Sequence, residues 1–305
     1  MRIGIDLGGT KIAAIALTSK GGKAGAECAR HRTDTPRDYA GTLDALVATV
    51  EGLEHQAGER AATVGISLPG IVDGAAGTVR AVNLPWLDHR PLADDLADRL
   101  GRPVRLANDA NCFVLSEAVD GAAAGAPVVF GIILGTGVGG GIVVGRRILS
   151  GANALAGEWG HNPLPWREPA DGPLEPCGCG RAGCIETLLC GGGLARLHLR
   201  LTGESATPPE ILARAAGGDA AAICTLDRHA DALARALAAV INLLDPDIVV
   251  VGGGLSNLPG LYETVPARWG RWALSPAPRT RLLRARHGAE SGMRGAAWLF
   301  GSDAG

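Results

Sequence analysis

The sequence predicts an α/β protein of two domains, and three observations support that fold class. The chain has 305 residues, which is enough for two domains that each bury an apolar core. Short apolar runs typical of strands alternate along the chain with longer stretches typical of helices. Two segments, residues 3–17 and 130–144, share a pattern of strand, glycine turn and strand. We therefore expect two halves of related design, with a boundary near residues 108–125.

Local signals place the elements in order. Gly8-Gly9-Thr10 joins two β-rich runs and predicts a hairpin, while Pro69-Gly70 ends a buried strand. A helix is expected after Pro36, and a long helix stops before Pro246. The predicted strands are 3–7, 12–17, 63–68, 104–107 and 248–251, and the predicted helices are 36–58, from 108 or 109 to about 124, and 220–244.

Composition excludes several classes of protein. Lys and Arg total 29 against 31 Asp and Glu, a balance that argues against a basic surface for nucleic acid or anionic membrane. Neither a cationic leader with a cleavage site nor a long uncharged apolar span is visible, so we expect a cytoplasmic protein. The 46 glycines show no Gly-X-Y period and are expected in turns and ligand-binding loops.

Three glycine loops follow apolar strands, and together they favour the binding of nucleotide phosphates. Glycine lets backbone N–H groups approach phosphate oxygens, and in the first loop Thr10 adds a hydroxyl and Lys11 a positive charge. Asp6, at the end of the first strand, is expected to hold Mg²⁺ or a metal-bound water. The spacing is not that of a P-loop, and each loop taken singly could be a plain turn. The candidate nucleotide-binding residues are Asp6, Gly8, Gly9, Thr10, Lys11, Gly135, Thr136, Gly137, Gly253 and Gly254.

A carboxylate at a strand end, Asp109, is the candidate catalytic base. As a general base it would take the proton of an attacking hydroxyl, which the neighbouring Asn108 would hold in place. The alternative is that Asp109 caps the helix that follows, as many aspartates in this position do. The local sequence leaves both interpretations open.

The most specific motif is a C-x-C-x4-C cluster with a histidine before it. Cys177, Cys179 and Cys184 lie within eight residues, and His161 stands sixteen residues before the first of them. Three thiols and an imidazole on a glycine-turned loop suit a closed tetrahedral Zn²⁺ site with a structural role. Three free cysteines are the alternative.

Two carboxylates flank this cluster, Glu158 shortly before the histidine and Glu186 shortly after the last cysteine. A bound zinc would hold both segments in place, so both carboxylates could accept hydrogen bonds from a polyhydroxylated ligand. The alternative is that they are exposed glutamates at helix starts.

In these motifs the sequence resembles the ROK family of bacterial sugar kinases. The resemblance runs from residue 1 to about 300, and its most specific parts are the Glu-x-Gly-His and C-x-C-G-x-x-G-C-x-E motifs. It implies an actin-like ATPase (ribonuclease H-like) fold with a central ligand cleft, an N-terminal domain at 1–115 and a C-terminal domain with the zinc loop at 116–290. A C-terminal helix at about 291–305 would pack back on the first domain. It also implies ATP, Mg²⁺ and a structural Zn²⁺ as cofactors, and a homodimer.

The activity that this resemblance implies is ATP-dependent phosphorylation of a hexose, with Asp109 as the catalytic residue. His161 would have two roles, with one ring nitrogen on zinc and the other on a sugar hydroxyl. A more distant alternative is a sugar sensor without turnover. The residues that the resemblance assigns to the sugar are Asn83, Asn108, Asp109, Glu158, His161 and Glu186.

Residues 158–166 most resemble the fructokinases of the family, which predicts D-fructose as substrate and fructose 6-phosphate as product. For Trp159, packing in the core or in a lid is favoured over stacking on a ligand. Its bulk and the rigid Asn162-Pro163 segment are expected to narrow the space beside C2 of the sugar. An N-acetyl group would then fit poorly, and its amide would be left unpaired. An N-acetylglucosamine kinase or a glucokinase of the same family is the alternative.

Overall fold

Two five-stranded sheets of equivalent strand order organise the described residues, which are 1–18, 25–73, 77–81 and 83–301 of a computed structural model. The strands are β1 (Arg2–Leu7), β2 (Lys11–Leu17), β3 (Glu27–Asp34), β4 (Val64–Leu68), β5 (Ile71–Asp73), β6 (Thr78–Arg80), β7 (Val104–Asn108), β8 (Val128–Leu134), β9 (Val138–Val144), β10 (Arg147–Ile148), β11 (Ile248–Gly252) and β12 (Arg281–Arg284). The first sheet has the order β3-β2-β1-β4-β7, and the second has the order β10-β9-β8-β11-β12. The two segments that share a sequence pattern therefore occupy equivalent places, and the predicted α/β fold class is confirmed.

The chain divides into two compact units, and the first is assembled from three segments. Unit one comprises Met1–Pro127, Gly141–Ala156 and the described part of Arg286–Gly305. Unit two comprises Val128–Gly140 and Gly157–Ala285. The predicted boundary between residues 115 and 116 falls inside one helix, Asp109–Val119, which lies wholly in unit one.

The helices are α1 (Tyr39–Ala57), α2 (Leu92–Leu100), α3 (Asp109–Val119), α4 (Ile185–Leu189), α5 (Gly191–Thr202), α6 (Pro208–Ala216), α7 (Ala220–Leu244), α8 (Leu261–Thr264), α9 (Pro266–Trp269) and α10 (Ser291–Ala297). Four of the helices were predicted. Two of these have bounds close to the prediction, α3 ends early, and the C-terminal helix expected at about 291–305 ends at Ala297, with residues 302–305 outside the described part of the chain. The bounds of α7 match the prediction, and α1 starts after Asp38, whose Oδ1 accepts the Gly41 N–H at 2.8 Å. Within the described residues, no helix combines the length and the apolar character needed to cross a bilayer.

Helix α3 ends at Val119 although the sequence predicted an end near residue 124. The cause is Glu117, a fully buried carboxylate in the last turn. Its Oε2 accepts the Ala122 N–H at 2.8 Å and the Arg286 N–H at 3.0 Å, and its Oε1 accepts the His287 N–H at 2.9 Å. Because these backbone donors lie outside the helix, the chain has to turn away after Val119 to reach the carboxylate.

Helix α10 completes the core of unit one by packing closely on α3 and on the first sheet. A Cβ placed on Gly4 would lie 1.9 Å from the Met293 carbonyl oxygen, and one on Gly65 would lie 1.8 Å from that of Ala296. On the helix itself, a Cβ on Gly295 would lie 1.7 Å from the Cys112 carbonyl oxygen. These contacts leave no room for a methyl group, so glycine sets the distance between α10 and its neighbours.

We expect Gly295→Ala to destabilise the fold by about 1–3 kcal/mol or more, because the added methyl group overlaps the backbone of α3. Gly52→Ala is the matched control, since Gly52 also lies in a helix and has nothing within 4 Å of its Cβ position. The control should be neutral or stabilising by up to about 1 kcal/mol. Urea denaturation of both variants measures the difference, and equal stabilities would contradict close packing of α10.

Candidate functional site

The hairpin turn between β1 and β2 is held rigidly in unit one. The Gly8 N–H donates to the Lys11 carbonyl at 3.0 Å, and Thr35 Oγ1 donates to the Gly8 carbonyl at 2.7 Å. The side chains of Thr10 and Lys11 remain exposed beside this turn. Asn83 is also exposed, and its carbonyl oxygen lies 3.6 Å from a Cβ placed on Gly9. The fixed turn thus leaves a hydroxyl and an ammonium group free for a ligand.

At the start of α3, the neighbouring residues Asn108 and Asp109 have different roles. Asn108 is the N-cap: its Oδ1 accepts the Ala110 N–H at 2.8 Å, and its Nδ2 donates to the Gly70 carbonyl at 3.0 Å. Asp109 Oδ1 accepts the same Ala110 N–H at 2.8 Å, so it shares one donor with the cap. Since Asn108 caps the helix, Asp109 is not needed as the cap. Its side chain stays accessible at the surface, although surrounding protein atoms displace part of its water.

Three parallel strands bring acidic and hydroxyl groups to one edge of the first sheet. In the register of β1 and β4, Asp6 lies opposite Ser67, and Ser67 lies opposite Ala107 of β7. A Cβ placed on Gly292 would lie 3.0 Å from Asp6 Oδ1 and 3.3 Å from Ser67 Oγ, so these two oxygens are neighbours. Ser67 was not among the predicted site residues. Its position near the end of β4, just before Pro69-Gly70, could have identified it, because ligands bind at the carboxyl ends of parallel strands.

Both carboxylates at this edge hold their protons more tightly than usual. The loss of surrounding water to protein atoms raises the pKa of Asp109, and the nearby negative charge of Asp6 raises it further. Burial likewise raises the pKa of Asp6, with Lys11 acting in the opposite direction. Two neighbouring carboxylates fit a divalent ion with oxygen ligands such as Mg²⁺, and a raised pKa suits a general base.

In unit two, the loops that follow β8 and β11 lie against each other. The Gly135 N–H donates to the Gly137 carbonyl at 3.0 Å, which closes a tight turn around the exposed Thr136. Gly253 has a φ of 82°, and a Cβ there would lie 2.3 Å from the Leu134 carbonyl oxygen. Only glycine combines this conformation with so close an approach. Two of the three predicted nucleotide loops are therefore adjacent.

The four predicted zinc ligands lie together in unit two, with all their ligand atoms within 4.8 Å of one another. Tetrahedral zinc would separate two sulfurs by roughly 3.8 Å, and a nitrogen from a sulfur by roughly 3.6 Å. Cys179 Sγ lies 3.7 Å from Cys184 Sγ, and Cys177 Sγ lies 3.5 Å from His161 Nδ1. These two distances fit a tetrahedral zinc site, in which Nδ1 of His161 would be the nitrogen ligand.

The charges of the thiols also fit a divalent cation. A hydrogen bond from Arg181 lowers the pKa of Cys179 to about 6, so this sulfur is a thiolate at neutral pH. Burial, together with the neighbouring thiols, raises the pKa of Cys184 to about 12. A cation between them would supply the positive charge that a second thiolate requires.

Glu158 and Glu186 lie on opposite sides of this cluster and make different contacts. His161 Nε2, the ring nitrogen turned away from the cysteines, lies 3.9 Å from Glu158 Oε2, and both side chains are partly exposed. Glu186 is half-buried, and its Oε2 accepts the Val138 N–H at 3.0 Å. The sequence predicted a sugar contact for Glu186 but gave no sign of this bond to the loop after β8.

Trp159 packs into the core of unit two. The side chain is 5% exposed, its Nε1 donates to the Gly139 carbonyl at 3.1 Å, and its ring packs edge-on against Phe130 at 5.6 Å between ring centres. Core packing, which the sequence favours over stacking on a ligand, is therefore confirmed for this indole. Its effect on the space beside C2 of a sugar stays a prediction.

A charged cavity of about 280 Å³ also lies in unit two. Arg235, which is 2% exposed, bonds both carboxylate oxygens of Asp171 at 2.8 and 2.7 Å, and Asp231 at 3.0 Å. Arg268 pairs with Asp227 in the same cavity. Since these charges compensate one another, the cavity is best explained as an ion-pair network that anchors the loop before the cysteines to α7.

Comparison with known proteins identifies a family. The model of the ROK family matches residues 2–302. The N-acetyl-D-glucosamine kinase of Escherichia coli O6:H1 (strain CFT073) is 42% identical to this chain over 308 residues, which cover 99% of this chain and 100% of that protein.

Solved structures extend the similarity to the fold. The ROK hexokinase of Thermus thermophilus has a TM-score of 0.85 at 35% identity, with 98% of this chain and 97% of that chain covered. A ROK family glucokinase from Streptomyces griseus, solved with glucose and AMPPNP, has a TM-score of 0.73 at 34% identity, with 98% of each chain covered. The actin-like fold implied by the sequence resemblance is confirmed by this match along nearly the whole chain.

For the cysteine cluster, we expect roughly one zinc ion per chain in freshly purified protein. Cys179→Ser removes one ligand from an exposed position and should lose most of the metal on dialysis. Cys224→Ser is the control, because Cys224 is an exposed cysteine of α7 outside the cluster. Elemental analysis of the three proteins measures the metal content, and active protein without metal would refute the site.

Proposed function

The chain belongs to the ROK family and is a sugar kinase, and we propose that it transfers the γ-phosphoryl group of ATP to N-acetyl-D-glucosamine. The kinase part of this proposal is carried by Asp109, an accessible carboxylate of raised pKa that a neighbouring N-cap leaves available. The substrate part is supported by the full-length similarity to N-acetyl-D-glucosamine kinase.

In the proposed reaction Asp109 acts as the general base. It accepts the proton of the primary 6-hydroxyl, which is the least hindered hydroxyl of a hexose, as the hydroxyl oxygen bonds to the γ-phosphorus. The bond from this phosphorus to the bridging oxygen of ADP breaks at the same time. The fixed position of Asp109 at the first turn of α3 supports this role, because a base must hold its orientation to act at hydrogen-bond distance.

Each unit has glycine loops that are suited to nucleotide phosphates. In unit one, the Gly8 N–H is bonded to the Lys11 carbonyl, so the rigid turn at Gly8 and Gly9 would offer the Gly9 N–H, with Thr10 and Lys11 beside it. In unit two, the Gly135 N–H is likewise bonded within its own turn, and the other N–H groups of the loops at Gly135–Gly137 and Gly253–Gly254 would be the donors. Asp6 would hold Mg²⁺, which when bound offsets the negative charge of the β- and γ-phosphates.

The sugar would be recognised by polar side chains at the ends of strands and around the metal cluster. His161 Nε2 and Glu158 are well suited to sugar hydroxyls, because both are partly exposed and the zinc would fix the imidazole through Nδ1. The proposed sugar ligands are Asn83, Asn108 and Asp109 in unit one, and Glu158, His161 and Glu186 in unit two.

The preference for an N-acetylated hexose over fructose is supported by the similarity to N-acetyl-D-glucosamine kinase, which covers 99% of this chain. The expectation of fructose depends on Trp159 and the Asn162-Pro163 segment narrowing the space beside C2, and the Trp159 ring is buried against Phe130. A fructose preference is not confirmed by the relatives, which are named for N-acetyl-D-glucosamine, glucose or hexose.

We expect Asp109→Asn to lower turnover by about 10²–10⁴-fold, because the amide cannot accept the proton. The melting temperature should not fall: the raised pKa means that the charged carboxylate destabilises the folded state at pH values above it. In the wild type, kcat/KM should decrease as the pH falls through this raised pKa. Asp44→Asn, which changes an exposed carboxylate of α1, serves as control. Activity of Asp109→Asn within a few fold of wild type would refute the base.

For substrate choice, we expect kcat/KM for N-acetyl-D-glucosamine to exceed that for D-fructose by at least about tenfold, or about 1.4 kcal/mol. A coupled ADP-release assay with N-acetyl-D-glucosamine, glucose, mannose and fructose measures this preference. Higher activity on fructose would restore the fructokinase interpretation of residues 158–166. Absence of turnover on every sugar, with binding retained, would indicate a sensor.

A further inference from the structure

The short helix α4 lies between the metal-ligand cluster and the loop that follows β8. Its N-cap is Cys184, one of the cluster cysteines, and Thr187 Oγ1 donates back to the Cys184 carbonyl at 2.8 Å. The cap also lies beside Pro163 in an isolated β-bridge, and the Ile185 N–H donates to the Asn162 carbonyl at 2.8 Å. The start of α4 is therefore held by the same segment that carries the metal ligands.

The other end of α4 is held by two basic side chains. Arg196 Nη2 donates to the Thr187 carbonyl at 2.6 Å, and His229 Nε2 lies 3.1 Å from the Leu189 carbonyl. His229 is 1% exposed, and burial lowers its pKa to about 4, so the neutral ring donates its single N–H to this carbonyl. A helix of five residues has little stability of its own, and these bonds fix it in place.

From this fixed helix, Glu186 reaches the loop after β8. Its Oε2 accepts the Val138 N–H at 3.0 Å and would lie 2.7 Å from a Cβ on Gly137. Just after α4, the Gly191 N–H donates to the Gly135 carbonyl at 2.8 Å. The loop is thus bound at both ends by one segment of chain, while Glu186 Oε1 lies 3.7 Å from Cys177 Sγ of the cluster.

We propose that Glu186 is a positioning residue for the nucleotide: it holds the Gly135–Gly137 loop in the conformation that binds the phosphates. This inference rests on the proposed function and deepens it, because it assigns the metal cluster a role in nucleotide binding as well as in sugar binding. The carboxylate is a charged acceptor for a backbone N–H, and such bonds are among the stronger ones in proteins. Without it, the loop would have to be ordered by the nucleotide itself, and affinity would fall.

The test measures binding of AMPPNP with Mg²⁺, and of N-acetyl-D-glucosamine, by isothermal titration calorimetry on the metal-loaded protein. Glu186→Ala should raise the Kd of AMPPNP by about tenfold or more. Glu186→Gln should restore most of this loss, because its amide oxygen still accepts the Val138 N–H. Glu175→Ala is the matched control. Glu175 lies just before the cluster cysteines, and its carboxylate pairs with Arg200, so this variant should leave both affinities unchanged.

A double-mutant cycle with Gly137→Ala makes the test specific to the contact. The added methyl group would lie 2.7 Å from Glu186 Oε2, so Gly137→Ala should weaken AMPPNP binding in the wild type. The same change should cost clearly less in the Glu186→Ala protein, where the opposing oxygen is gone. Elemental analysis should find the metal content of all variants unchanged.

Two outcomes would overturn the proposal. Glu186→Ala could lose sugar affinity and keep AMPPNP affinity, which would make Glu186 a sugar ligand only. Alternatively, the effects of Gly137→Ala and Glu186→Ala could be strictly additive. Neither result would contradict the proposed function. That function is contradicted by a different result, namely that the wild-type protein phosphorylates no hexose.

Discussion

Parallel pairing of β1, β4 and β7 is the constraint on which the chemistry of unit one depends. The register places Asp6 opposite Ser67 and Leu68 opposite Asn108, and α3 begins at the residue after β7 with no intervening loop. Two carboxylates that are far apart in sequence thereby meet at one edge of the sheet. A slip of one residue in β1 would turn the Asp6 side chain to the other face of the sheet. The pairing of these strands therefore determines whether the two carboxylates come together.

The same arrangement makes ionisation of the two carboxylates less favourable. Asp6 and Asp109 are partly stripped of water and lie near each other, and both effects disfavour the charged forms that catalysis needs. The close packing of α10 against β1 and β4 contributes stability that offsets this effect.

The sequence predicted the parts of the molecule whose chemistry is local. The C-x-C-x4-C cluster, the cap at the start of α3 and the bounds of α7 all follow from residue types at fixed spacing. The failures concern distant partners. Glu186 accepts a backbone N–H from the loop after β8, and α3 stops early because Glu117 binds backbone groups from the other end of the chain. Neither partner can be recognised from local periodicity, since each is brought near only by tertiary folding.

The discontinuous assembly of unit one has a consequence for synthesis. Every residue of unit two precedes Arg286 in the chain, so the ribosome makes the whole of unit two before α10. Until then, the glycine faces of β1 and β4 have no covering helix, and closing the core requires a contact over nearly the full chain length. The nascent protein therefore carries an open hydrophobic surface through most of translation, when such surfaces are exposed to aggregation and to chaperones. Unit one, which is begun first, is completed last.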